Sequence, residues 1–241
     1  MSTPILEISH YSKSYGRDTK ACDDVSLTVE AGDIYGFIGH NGAGKSTTIR
    51  AVVGVLDFEE GEIFIDGHSV KTEPMACKRM TAYIPDNPDL YENLTGIQYL
   101  NFIADVFDID SEKRQQRIQT YGDMFEITDA LGDLIGSYSH GMKQKVAILS
   151  ALIHEPKLLV LDEPFVGLDP KAAFTLKEVM HRMCDAGTAV FFSTHVLDVA
   201  EKLCNKVAII KHGRIIACGT MEELTEGHSL EETFLEADDE K

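Results

Sequence analysis

Apolar positions along this chain change their period twice, and the changes divide it into three stretches. In the first, residues 5–10 and 25–29 alternate apolar and polar side chains, 34–38 is apolar without interruption, and 62–66 lies between Gly61 and Gly67. Period two with glycine punctuation predicts strands. From about Thr95 to Ala151 the period lengthens. Ile97, Leu100, Phe102, Ile103, Val106 and Phe107 recur at helical spacing, and residues 112–125 continue as a charged helix. Beyond Lys157 the alternation of strand and helix returns. Residues 158–161 read as a buried strand, 171–186 as a helix stopped by Gly187, 188–193 as a strand and 196–204 as a helix. Residues 207–211 and 214–218 flank His212-Gly213 as a hairpin, and the acidic end from Glu236 to Lys241 is expected to fray.

Chemistry falls at the joints of this pattern. The segment Gly39-His40-Asn41-Gly42-Ala43-Gly44-Lys45-Ser46-Thr47 follows the apolar run 34–38 and leads into a helical pattern. It is a G-x-x-x-x-G-K-[ST] loop in the strand–loop–helix setting that the motif requires. Its glycines let successive N–H groups point inward, and the following helix adds its positive end. Lys45 can reach the β- and γ-phosphates of a nucleotide, and the Ser46 hydroxyl can ligate Mg²⁺. Lys45, Asp86, Asp162 with Glu163, and His195 each stand just past the end of a predicted strand. In an open parallel sheet those ends share one crevice. Asp162 is placed to hold Mg²⁺, and Glu163 to orient and deprotonate a water attacking the γ-phosphate.

The 241 residues suffice for one large α/β domain. With 40 acidic and 22 basic residues the formal net charge is −18, which repels nucleic acid. Five scattered cysteines suggest neither a zinc site nor a disulfide framework. Neither a leader nor a membrane span is read from the chain, so it is expected to be cytoplasmic.

The loop 39–47, then Ser139-His140-Gly141-Met142-Lys143-Gln144, Leu161-Asp162-Glu163-Pro164, Gly167-Leu168-Asp169-Pro170 and Ser193-Thr194-His195 resemble, in order, the motifs of the ATP-binding subunit of an ABC transporter. The resemblance implies an α/β fold: a P-loop NTPase (RecA-like) core with a parallel sheet and a flanking antiparallel β-subdomain over 1–86 and 155–226. A helical subdomain would be inserted at 87–154, with a tail at 227–241. It implies that Tyr15 stacks on adenine, and that Gly39, Asn41, Gly42, Ala43, Gly44, Lys45, Ser46, Thr47 and Asp86 bind ATP. Ser46, Asp86 and Asp162 would serve Mg²⁺, while Glu163 and His195 act on the γ-phosphate. Ser139 and Gly141 of the signature segment would contact nucleotide on a second ATP-binding subunit, with Asp169 of the D-loop, 167–170, at the interface between the two and His195 as the switch histidine. A separate transmembrane permease would hold the pair at the inner face of the membrane.

Two segments depart from the family's pattern. The signature Tyr138-Ser139-His140-Gly141-Met142 keeps only the serine and the second glycine, and Asp86 stands where glutamine is usual. The helical lobe and the ending His228-Ser229-Leu230-Glu231-Glu232-Thr233-Phe234-Leu235-Glu236 resemble bacterial multidrug and peptide exporters, with Ile84-Pro85 and Leu90-Tyr91 nearest the Ecs-type branch, which implies export of drugs, peptides or lipids. The alternatives are an importer ATPase, a nucleotide-sensing subunit, and an ABC ATPase acting on chromosomes or ribosomes.

Overall fold

A computed structural model describes residues 3–16, 19–226 and 229–239. Met1, Ser2, and positions 227, 228, 240 and 241 of the expected tail lie outside these. The chain opens with strands β1 (Leu6–Tyr15) and β2 (Thr19–Val29), then β3 (Ile34–Ile38) and helix α1 (Lys45–Val52). Strands β4 (Glu60–Ile65) and β5 (His68–Ser69), helix α2 (Pro74–Met80) and strand β6 (Thr81–Ile84) follow. Three helices come next: α3 (Gly96–Val106), α4 (Ser111–Met124) and α5 (His140–Leu152). Then come β7 (Leu158–Asp162), α6 (Pro170–Asp185), β8 (Ala189–Thr194), α7 (Leu197–Leu203), β9 (Lys206–Lys211) and β10 (Arg214–Thr220). The short α8 (Met221–Leu224) and α9 (Leu230–Asp239) close the fold.

Two sheets result. An antiparallel sheet runs β2-β1-β4-β5, and a six-stranded sheet runs β10-β9-β3-β8-β7-β6, parallel except for β10. The parallel strands are buried on both faces, which is why their sequences lack alternation. Side chains still alternate between two cores. Ile34, Ile38, Leu159, Leu161, Val190 and Phe192 join one shared with the helices α3–α6. Tyr35, Phe37, Leu158, Val160, Ala189 and Phe191 join another shared with α1 and the antiparallel sheet.

Several boundaries differ from the sequence reading for local reasons. Strand β1 continues past His10 because a bulge there shifts the register, with His10 at φ 52° and Asp24 opposite at φ 59°. The alternation is lost at the bulge while the pairing continues. Gly61 closes against this bulge: a Cβ on it would lie 2.4 Å from the His10 carbonyl oxygen. Helix α3 begins at a capping box, Thr95 accepting from the Gln98 N–H and Gln98 reaching back to the Thr95 N–H. His212 and Gly213, both at positive φ, form the expected two-residue hairpin turn. The acidic end is helical through Asp239 rather than frayed from Glu236, because Leu230 and Phe234 bury one side of α9.

Candidate functional site

The ends of β3, β6 and β7 meet at one cleft of about 220 Å³. Asn41, Gly42, Gly44, Lys45, Ser46, Thr47, Asp86, Asp162 and Glu163 line it, joined by His40 and by Ala21 of β2. Ala43 is buried beneath, its carbonyl accepting from the Gly213 N–H at 2.9 Å. Gly39 sits against β9, where a Cβ would come within 2.4 Å of the Ile210 carbonyl oxygen. Gly44 has φ 114°, and a Cβ there would lie 2.6 Å from the Ala21 carbonyl oxygen. Only glycine takes that conformation without strain. Because Gly44 is the N-cap of α1 and offers no side chain, the first N–H groups of α1 are left for an anion.

Lys45 is 6% exposed. Its Nζ donates to the carbonyls of Gly39 at 2.7 Å and His40 at 3.3 Å, and stands 3.5 Å from Glu163 Oε1. The register of β7 with β8 places Ser193 opposite Asp162. The Ser193 hydroxyl donates to Asp162 Oδ1 and accepts from the Glu163 N–H at 3.1 Å. That second contact helps to hold Glu163 at φ 49°, a left-handed conformation that costs a non-glycine residue energy and often marks a functional position. His195 Nδ1 lies 2.9 Å from Glu163 Oε1, so Lys45 and His195 flank the same carboxylate oxygen. The arrangement can hold a phosphate chain on the loop while Glu163 addresses a water beside it. Asp86 faces the same cleft, one of its oxygens accepting from the Asn87 N–H at 2.9 Å.

The remaining expected residues lie elsewhere. Tyr15 is 49% exposed at the end of β1 and is not among the lining residues, although Ala21 across the same hairpin is. Ser139 caps α5, accepting from the Met142 N–H at 3.3 Å. Gly141 approaches the D-loop segment so closely that a Cβ would meet the Gly167 carbonyl oxygen at 3.1 Å. Asp169 caps α6 through the Ala172 N–H at 2.8 Å and pairs with Lys145 of α5 at 3.1 Å. Those contacts, the capping N–H first, hold its carboxyl below the usual carboxylate range. The structure therefore ties the segment that carries Gly141 to the one that carries Asp169, outside the cleft lining of their own chain.

Ser193, Ala21, His40 and Lys145 were not singled out by sequence. Ser193 and His40 stood inside quoted motif segments without a role assigned to them, whereas nothing in the local sequence marked Ala21 or Lys145.

The ABC transporter family profile matches residues 22–166. The ABC-type transporter ATP-binding protein EcsA of Bacillus subtilis is 36% identical over 232 residues, 96% of this chain and 94% of its own. The daunorubicin/doxorubicin resistance ATP-binding protein DrrA of Streptomyces peucetius is 36% identical over 222 residues, covering 92% of this chain and 67% of its own. A solved ATP-binding subunit of an ABC transporter superposes with a TM-score of 0.93 at 35% identity, over 98% of this chain and all of the other. An ATP-binding cassette solved as a post-hydrolysis dimer with ADP and Pi superposes with a TM-score of 0.82 over 90% of this chain and 98% of its own. At 21% identity that last likeness bears on the fold alone.

Proposed function

This chain belongs to the family of ABC transporter ATP-binding subunits, and from that premise we propose that it drives an exporter whose membrane-spanning permease is a separate chain. It is an ATPase by family. The observation that carries the reading further is the single cleft joining Lys45, Asp86, Asp162 and Glu163 at three strand ends or their loops. In the proposed reaction the γ-phosphate rests on the N–H groups of α1 and on Lys45. Glu163 takes the proton of the attacking water, while His195 orients that carboxylate and contacts the γ-phosphate.

Ser46, Asp86 and Asp162 offer the hard oxygen donors that Mg²⁺ prefers. One oxygen of Asp162 is already engaged by Ser193, and no cluster of three His, Cys, Asp or Glu among the described residues could hold a metal by itself. That suits an ion that keeps several waters and shares the substrate's phosphates. When bound, it would neutralise charge on the β- and γ-oxygens.

Ser139 and Gly141 stand apart from their own chain's cleft, at an exposed helix start, which supports their serving a second copy or a paralogue head to tail. Asp169 would lie at that interface, and Tyr15 would stack on adenine from the cleft's rim. Residues 1–86 and 155–226 would act as the catalytic lobe and 87–154 as the lobe that brings the signature. The permease would dock on the aromatic group formed by Tyr91, Tyr99 and Phe102, of which Tyr91 and Phe102 are exposed. No helix among the described residues is long and apolar enough to cross a membrane, so this chain would reach the inner membrane face through that permease. The drug resistance named in DrrA favours export over import. The charge of −18 disfavours the chromosome and ribosome alternatives.

Phosphate release from MgATP by the purified chain, and its co-purification with the multi-span protein encoded beside it, test this reading together. Release that rises when the membrane protein is present is expected. Vigorous release with no associated membrane protein would turn the assignment to the non-transport class.

A further inference from the structure

The last helix of the described chain touches the phosphate loop. Helix α9 packs on α7, the helix that follows His195. The Leu230 N–H donates to Glu201 of α7 at 3.3 Å, and the Leu230 side chain is fully buried. The Thr233 hydroxyl donates to the Leu224 carbonyl of α8 at 2.6 Å, fixing the helix about its axis. Phe234, four residues after Leu230, lies on the same buried face. Its ring meets that of His40 nearly edge to face, with centroids 4.9 Å apart and planes at 80°.

His40 is the second residue of the phosphate loop, and its backbone is occupied. Its carbonyl accepts from Lys45 Nζ at 3.3 Å and from the Ala43 N–H at 3.1 Å. On the opposite side the loop is fastened to the β9–β10 turn, through the Gly213 N–H and the Ala43 carbonyl. The imidazole of His40 is thus clasped from one side by Phe234, while the backbone it belongs to helps to aim the one cation in the cleft's lining. Helix α9 itself carries Glu231, Glu232, Asp238 and Asp239, so its charge does not draw it toward a phosphate site. The buried pair Leu230 and Phe234 holds it there.

We propose that Phe234 is a positioning residue for nucleotide binding: by packing on His40 it holds the His40 carbonyl, and through it Lys45, where the ammonium meets the nucleotide's phosphates. Because α9 also packs on α7, the same helix joins the phosphate loop to the segment that follows the switch histidine. This rests on the assignment of residues 39–47 as the ATP-phosphate loop.

The test is a double-mutant cycle read as MgATP and MgADP affinity by calorimetric titration. Phe234→Leu keeps an apolar side chain in place but removes the ring. It is expected to weaken MgATP binding roughly three- to tenfold, the scale of one aromatic pair. Phe234→Tyr should restore affinity, and in steady-state hydrolysis the loss should appear in KM with kcat little changed. In a His40→Ala background Phe234→Leu should have no further effect, because the contact is already gone. Unchanged affinity of Phe234→Leu, or equal weakening in both backgrounds, would overturn the proposal. Lys45→Ala separates the two failures: weakened binding there beside an unchanged Phe234→Leu overturns the proposal alone, and unchanged binding in Lys45→Ala overturns the phosphate-loop assignment beneath it.

Discussion

Helices α1 and α5 both begin at segments expected to meet phosphate, yet their first turns are built differently. At α1 the N-cap is Gly44, with no side chain to occupy the free N–H groups, and Lys45 is buried beside them. At α5 Ser139 occupies one of those groups itself, through the Met142 N–H, and the nearby cations are engaged. Lys143 pairs with Glu92 and Lys145 with Asp169. An open, charged helix start can bind an anion alone. A self-capped start whose lysines are drawn to Glu92 and Asp169, while Lys45 and its partner Glu163 both stay in the α1 cleft, can add only a weak contact, from the Ser139 hydroxyl proton and the remaining N–H groups. The difference would let one chain carry two ends that meet phosphate without their competing. The first would hold nucleotide, and the second would close on nucleotide already held by another copy.

The comparison is broken hardest at Glu163, which belongs to the α1 side. Glu163→Gln is expected to leave MgATP affinity near wild type while slowing single-turnover hydrolysis by roughly 10²- to 10⁴-fold, the range of general-base loss. Hydrolysis near the wild-type rate would remove Glu163 from that role. Lys45→Ala comes next. Losing one charge-assisted contact should cost about 1.5–3 kcal/mol of binding, a ten- to hundredfold rise in Kd. A calorimetric titration with an unchanged Kd would mean that α1 does not bind phosphate. The smallest effect belongs to the capped end. Ser139→Ala should lower stability by about 1 kcal/mol through the lost cap, or roughly 2–4 °C in melting temperature. MgATP affinity of the isolated chain should stay the same. A matching loss of affinity would place Ser139 in its own chain's site and dissolve the distinction between the two ends.

The sequence made the α1 side far more legible than the α5 side. Strands β3, β7 and β8 stand out because each is buried on both faces, and their ends place Lys45, Asp162, Glu163 and His195 in one crevice by topology alone. Helices α3 to α6 announce themselves through apolar period and caps. Helix α2 and the start of β6 were not delimited, since seven residues of helix abutting four of strand leave too little of either period. The tail was read as fraying because its carboxylates outnumber its apolar residues. Only packing reveals that Leu230 and Phe234 share a face against the core. Side-chain pairings were invisible for a related reason. Ser193 with Asp162, Lys145 with Asp169 and Phe234 with His40 join distant segments, and nothing in local spacing records such a meeting.

The central claim is that one chain's α5 end completes the other chain's α1 end, and mixing two crippled chains tests it most directly. Gly141→Asp puts a carboxylate where γ-phosphate would approach α5, and Lys45→Ala weakens the α1 end. Each protein alone, assembled with the permease, should show little ATP turnover. The nucleotide-free melting temperature of Gly141→Asp serves as the check that the Gly167 carbonyl has accommodated the new Cβ. Mixed one to one, heterodimers should carry one site with both lesions and one with neither, and turnover should recover in part. A mixture no more active than its components, from assemblies that demonstrably contain both chains, would contradict the account.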